Sequence, residues 1–306
     1  MSICVVESKK SIGHVNFYNA YYNDLAESNT VEVLSYSSIF EKLKVKEKII
    51  KTIFFKEQVF KSKISYHLYQ IYFSYKAIKF ARKNGFEKII FSVYDTFAIG
   101  IIACFSPHLL LSIKVELFEH NNIDQLKTSK IKSLLYKLTS KYVKSIVFEN
   151  YIGEHINSVY QRDFYCYPHP LIMVDRGTVN KEIDKRLLDK DYVFLPSAAI
   201  NKVELESVYE FCTENRLLLV CKKTSLLNNF PADSFIAETY FENYQNLLLN
   251  CKYLAIANDF SYRVSAVFYE GIANNLNIII ADNLMARKLS LKYKESEILI
   301  LNRKCG

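Results

Sequence analysis

The sequence predicts an α/β protein of two domains, each a mostly parallel sheet covered by helices on both faces, with the two facing each other across a cleft. Three observations carry this. Short apolar runs alternate with longer segments of helical spacing from one end of the chain to the other. The runs are continuously apolar rather than alternating, which is the pattern of strands buried on both faces. The chain of 306 residues, 50% of them hydrophobic, can fill two cores of ordinary domain size.

Taken in order, Ile3 to Val6 is a short buried strand, Val15 to Leu25 has helical spacing, and Val31 to Leu34 is a second strand. A long helical stretch is expected over about Lys46 to Lys83, ended by Asn84-Gly85 as a C-cap. Strands follow at Lys88 to Val93, Ile113 to Phe118 and Ser145 to Phe148, with helices at Phe97 to Phe105, Ser129 to Tyr142 and Ile152 to Tyr160. Two prolines in Tyr165 to Pro170 and a charged, weakly periodic stretch from Asp175 to Asp191 read as a connection. The expected division is therefore 1–168, a linker 169–191, and 192–306. In the second part strands are expected at Tyr192 to Leu195, Leu217 to Cys221, Tyr253 to Ala257, Ile278 to Ala281 and Ile298 to Leu301. The helices between them are Val203 to Asn215, Glu242 to Cys251, Val264 to Asn274 and Leu284 to Leu291.

Composition narrows the class. Seven Gly, five Pro and 14% aromatic residues leave little room for disordered linkers or repeats. Seven scattered cysteines without a CxxC pair read as buried thiols in a reducing compartment, and the opening MSICVVESKK turns charged too soon for a signal-peptide core. The longest nearly uncharged run, Thr96 to Phe105, is about half the roughly 20 residues that a membrane-spanning helix needs. A cytoplasmic protein is expected. Residues 1–166 hold 23 Lys and Arg against 15 Asp and Glu, whereas the remainder balances at 17 against 17, so the whole net charge of +8 lies in the first half. That asymmetry calls for an anionic partner. Nucleic acid is set aside, because no zinc-ligand spacing, RNA-binding sheet motif or helix-turn-helix pattern is present.

In open parallel sheets ligands bind beyond the carboxyl ends of the strands, so the polar residues after each strand are the candidates. After the first strand comes Glu7-Ser8-Lys9-Lys10-Ser11-Ile12-Gly13-His14, where the glycine lets backbone amides approach a ligand. Asp95 follows the strand at Lys88 to Val93, either as N-cap of the next helix or as an acceptor contact. Glu119-His120-Asn121-Asn122 follows Phe118. Asn258 to Ser265 follows Ala257 and leads into a helix that contains Glu270.

These segments together resemble the GT-B glycosyltransferases of two Rossmann-like domains, in particular the family 4 group that builds cell-surface polysaccharides. The resemblance covers essentially the whole chain. It rests on SIGHVNFYNAYYNDL as a glycine-containing acceptor loop, on FEHNN, KYVKSIVFENY and YPHPL in that order, and most specifically on NYQNLLLNCKYLAIAND followed by SYRVSAVFYEGIANNLNIIIAD. It implies transfer of a sugar from a nucleotide-sugar donor to a glycan or polyprenyl-diphosphate-linked acceptor, with retention of configuration and without a metal or other cofactor.

Residue by residue, the resemblance implies that Glu270, matching the second carboxylate of the family's Glu-x7-Glu motif, accepts hydrogen bonds from the nucleotide ribose. Val264, Ser265 and Ala266 would open a helix whose amides face the donor diphosphate. Arg263 would add positive charge, and Lys202, assisted by Lys222 or Lys223, would neutralise the leaving phosphate. His120 would contact the donor sugar, and Gly13, His14 and Asp95 the acceptor. Electrostatic stabilisation should dominate such a reaction. Two positions depart from the family pattern: Tyr262 stands where the first carboxylate falls, and Pro196 to Ile200 lacks the arginine that precedes the lysine. A non-catalytic homologue serving as a subunit or scaffold, or an epimerase or pyruvyl transferase on the same fold, are the alternatives.

The segment Thr52 to Lys83 combines nine aromatic and seven basic residues with one acid, Glu57. It is expected either to be a core helix with a basic outer face or to rest on an anionic membrane surface, as a peripheral protein would.

Overall fold

The computed structural model describes residues 1–8, 15–55, 58–120, 122–174, 176–177, 185–188, 190–198 and 201–302. The chain divides into two compact units, Met1–Pro170 and Leu171–Gly306.

In chain order the first unit contains β1 (Ser2–Glu7), α1 (Val15–Ser28), β2 (Thr30–Ser35), α2 (Ser37–Phe40), β3 (Ile50–Ile53), α3 (Lys63–Lys83), β4 (Lys88–Val93), α4 (Thr96–Phe105), α5 (Pro107–Leu111), β5 (Lys114–Phe118), α6 (Asn122–Leu126), α7 (Lys130–Thr139), β6 (Val143–Val147), α8 (Asn150–Tyr160) and β7 (Phe164–Cys166). The seven strands form one sheet in the order β3-β2-β1-β4-β5-β6-β7, every pair parallel. One face carries Cys4, Val6, Ile89, Phe91, Val115 and Leu117 against α3, α4 and α5. Toward the other lie the rings of α1, of which Tyr18, Tyr21 and Tyr22 are fully buried. Each central strand is therefore covered on both sides, which explains its uninterrupted apolar run.

The second unit contains β8 (Tyr192–Leu195), α9 (Lys202–Glu214), β9 (Leu218–Lys222), β10 (Phe235–Glu238), α10 (Tyr244–Asn250), β11 (Tyr253–Ile256), α11 (Ala266–Ala273), β12 (Ile278–Ala281), α12 (Leu284–Lys292) and β13 (Ile298–Leu301). Its six-stranded sheet has the order β10-β9-β8-β11-β12-β13, again all parallel. Side chains alternate between faces. Val193, Leu195, Leu219, Cys221, Ala255 and Ile279 pack with α9, whereas Phe194, Val220 and Leu254 turn toward α10.

Helix entry is set by polar side chains at five of the starts. Ser62, Asp95, Ser129, Asn201 and Asn283 each accept from a first-turn amide of α3, α4, α7, α9 and α12, a contact that typically contributes about 1 kcal/mol.

Several expectations are corrected. The long helix from Lys46 begins only at Lys63, where Ser62 and Ser65 form a capping box, and Ile50–Ile53 before it is a strand paired to β2. Strands β7 and β10 were not anticipated either. Helix α10 is Tyr244–Asn250 rather than Glu242 to Cys251, and α11 starts at Ala266 with Ser265 as its N-cap, so Val264 precedes the helix.

Candidate functional site

In a doubly wound sheet the crevice lies where consecutive crossovers go to opposite sides, since there the loops diverge and leave room. In the second unit that point is between β8 and β11. The chain leaving β8 enters α9 at Lys202, and the chain leaving β11 enters α11 at Ser265. Two sequence candidates thus follow the two strands that meet at the switch point. Lys222, the last residue of β9, follows the neighbouring strand and is half-buried.

The β11–α11 loop is held from below. The Asn258 carbonyl accepts from Asn283 Nδ2 at 3.0 Å, the Phe260 carbonyl accepts from the Met285 amide at 3.2 Å, and Asn283 also caps α12. Gly271 brings α11 close to the sheet: a Cβ there would stand 2.8 Å from Ile278 Cδ1 and 2.9 Å from Leu254 Cδ2. The start of the helix is consequently fixed, yet its amino end is left open. Ser265 makes no side-chain cap, and among the described residues the Ala266 and Val267 amides have no acceptor. Open first-turn amides and the helix dipole favour an anion.

Glu270 sits on the second turn of α11. Its Oε2 accepts a short hydrogen bond from the Tyr244 hydroxyl, while Oε1 accepts nothing among the described residues. Burial pushes the Glu270 carboxyl above the usual carboxylate range, and the Tyr244 bond opposes that rise. The Tyr244 ring packs edge-on against Phe194 of β8, with centroids 5.6 Å apart. One carboxylate oxygen is therefore anchored by a rigid aromatic donor and the other is available. Arg263 lies with its guanidinium 4.1 Å from the Phe260 ring centroid, a stacking contact that holds the charge beside the loop. Lys202 is exposed and pairs with Glu206 one turn along α9 at 3.2 Å, an arrangement of little energetic weight that leaves the ammonium easily recruited elsewhere.

The remaining candidates belong to the first unit. Gly13 and His14 lie outside the described residues. Asp95 caps α4 through Oδ1 to the Ala98 amide at 3.0 Å, and its Oδ2 is 3.1 Å from His67 Nδ1. Both oxygens are thus engaged, Oδ1 as the N-cap of α4. His120 follows β5 in a nest of rings: Phe118 at 5.4 Å, Phe17 at 5.6 Å and Phe148 at 5.2 Å, and the His169 ring lies 5.2 Å from Phe148 and 5.6 Å from Phe17.

Directly before His120, Glu119 is buried at the centre of a polar cluster. It accepts from Tyr94 at 2.7 Å, Tyr136 at 2.8 Å and Ser145 at 2.7 Å, and lies 3.4 Å from Arg162 Nη1. Arg162 is wholly enclosed, stacks 3.5 Å from the Tyr136 ring centroid and donates to the Tyr136 carbonyl at 2.6 Å and to Thr139. Sequence reasoning missed Tyr244, His67 and the Glu119–Arg162 cluster.

A cavity of about 690 Å3 in the second unit runs along α10 from Asn243 to Asn250 and reaches Asp191 and Tyr192 at the start of β8. It reaches the beginning of that strand, whereas the switch-point loops leave the strand ends.

No family model matches the chain, and no curated protein sequence does. Solved structures do. Anabaena HepE in complex with UDP superposes with a TM-score of 0.66 at 9% identity, covering 99% of this chain and 86% of that one. A glycosyltransferase from Rickettsia africae gives 0.61 at 12% identity, covering 99% and 84%. A protein assigned as a UDP-N-acetylglucosamine 2-epimerase from Listeria monocytogenes gives 0.56 at 10% identity, covering 98% and 84%. The chain has the α/β fold of the GT-B glycosyltransferases, with a parallel sheet in each of its two units.

Proposed function

We propose that the protein is a glycosyltransferase that takes a sugar from a nucleotide-sugar donor and places it on a glycan or polyprenyl-diphosphate-linked acceptor. The observation that carries this reading is the α11 site: first-turn amides that have no acceptor among the described residues, and one turn further a carboxylate with one oxygen anchored by Tyr244 and the other accepting nothing among the described residues. The donor diphosphate would sit at the Ser265–Val267 end, and Glu270 Oε1 would accept from a ribose hydroxyl. HepE, a structural neighbour over nearly the whole chain, is known in complexes with UDP and with UDP-glucose.

In this reading the chemistry is electrostatic. As the sugar–phosphate bond breaks, negative charge builds on the diphosphate, and the helix amides, Arg263, Lys202 and Lys222 neutralise it without a metal. His120 contacts the donor sugar, and Gly13, His14 and Asp95 serve the acceptor side. Retention of configuration and a role in surface polysaccharide synthesis belong to the same proposal. Release of nucleoside diphosphate from a panel of UDP-, GDP- and dTDP-sugars, with and without chelator, tests it. Release that persists in chelator and is lost in Glu270→Ala is the expected result; no release from any donor would favour a non-catalytic homologue. The Listeria neighbour supports an epimerase as the second reading, and analysis of the sugar product separates it from transfer.

A further inference from the structure

The outer layer of the first unit combines two features that a water-facing surface does not ordinarily share. Ile64, Leu68 and Tyr72 follow one another at four-residue steps along α3 and therefore share one face. All three are exposed, Ile64 at 72%. The same row continues into exposed Lys76, Lys79 and Lys83. On α7, about fifty residues later in the sequence, Ile131, Leu134 and Leu138 make a second exposed stripe, flanked by exposed Lys130, Lys137 and Lys141.

Helix α4 joins the two stripes. Gly100 approaches α7 so closely that a Cβ there would stand 2.6 Å from Leu135 Cβ, and Phe97 lies 4.8 Å from the His67 ring of α3 and 5.9 Å from Lys132 Nζ of α7. Phe105, at the end of α4, is 79% exposed, and Leu111, at the end of α5, is exposed as well. Helices α3 and α7 contribute eight Lys and Arg, and none of α3, α4, α5 and α7 contains an Asp or Glu.

We infer that this α3–α4–α5–α7 face docks on the surface of an anionic phospholipid bilayer. The aliphatic side chains gain by leaving water for the acyl boundary, and the lysines reach the phosphate layer along their methylene stems. Charge selects the occupant. A second copy of the same face would bring two uncompensated basic layers together without one carboxylate between them. Nucleic acid would satisfy the lysines but leave the aliphatic stripes wet. The surface is broader than the Thr52 to Lys83 segment expected from sequence, because its second stripe comes from α7.

Flotation of the full chain with vesicles tests this without any sugar donor, so its outcome is independent of the proposed reaction. The chain should float with phosphatidylcholine vesicles containing phosphatidylglycerol, float less as salt rises, and stay behind with phosphatidylcholine alone. Leu68→Glu with Leu134→Glu, both at exposed positions, should lower the bound fraction about tenfold or more, with melting unchanged. Lys288→Glu with Lys294→Glu in the second unit should have no effect. Equal flotation of wild type and the Leu68/Leu134 variant, equal binding to neutral vesicles, or no flotation at all would overturn the inference. So would a dimer in sedimentation that Leu134→Glu dissociates in a chain that ignores vesicles, an outcome that assigns the face to self-association.

Discussion

Replacing Arg162 by Met tests whether the His120 loop rests on a buried ion pair. Arg162 and Glu119 are both fully enclosed, and the guanidinium lies 3.4 Å from the carboxylate while also serving Tyr136 and Thr139. Methionine fills much of the volume but leaves the Glu119 carboxylate without the Arg162 cation, while the Tyr136 carbonyl loses the guanidinium and keeps the Thr139 and Ser140 hydroxyls as donors. Breaking a buried pair from one side costs about 3–5 kcal/mol. The hydroxyls of Tyr94, Tyr136 and Ser145 still solvate Glu119, so the lower part of that range, about 3 kcal/mol, is expected. For a unit of this size, 1 kcal/mol corresponds to roughly 2–4 °C, which predicts a fall in Tm of about 10 °C. Glu119→Gln alone should be destabilising too, and the double variant less so than the sum of the two. Urea titration of the four proteins measures the coupling directly. A Met variant within about 0.5 kcal/mol of wild type, or strict additivity, would refute the role assigned to the pair.

Glu270 makes stability and binding respond to pH in opposite directions. Burial raises its folded-state pKa, so the folded protein holds that proton more tightly than the unfolded chain does. Its contribution is fully present below the unfolded pKa of about 4.3 and is lost as pH rises through the higher folded value. Glu270→Gln should therefore remove this slope and melt no lower than wild type at neutral pH, as calorimetry across that window would show. Nucleotide binding, which needs the ionised carboxylate, should instead strengthen over the same rise. Tyr244→Phe removes the bond that favours the charged form, so its binding profile should move to higher pH; a profile that coincides with wild type would contradict the anchoring. Asp95→Ala removes the α4 cap and the His67 contact and should cost about 1 kcal/mol or somewhat more in denaturant unfolding.

Much of the fold was legible because central parallel strands must be apolar throughout. Ile89 to Phe91 and Ile278 to Ala281 announce themselves for that reason. The strands that were missed, β3, β7 and β10, all lie at sheet edges, where one side lacks a partner and burial is partial. Ile50–Ile53, set among lysines and with three of its four residues exposed, carries no local sign of its pairing with β2. The edge strand β13 was found only because ILIL is apolar throughout. For the site, the loop after β11 and Glu270 were readable as polar residues following a strand. Tyr244 was not, because it meets Glu270 from 26 residues away across a helix pair. Arg162 likewise looks like a surface arginine until the fold carries it 43 residues back to Glu119.

The central claim is that a nucleoside diphosphate binds at the start of α11 with Glu270 on its ribose. Titration calorimetry of the chain with UDP, GDP and dTDP addresses it in one measurement. Saturable binding of one of them, weakened about tenfold or more in Glu270→Ala by loss of a charged hydrogen bond, is the predicted result. Absence of binding by all three, or an Ala variant that binds as wild type does, would contradict the account.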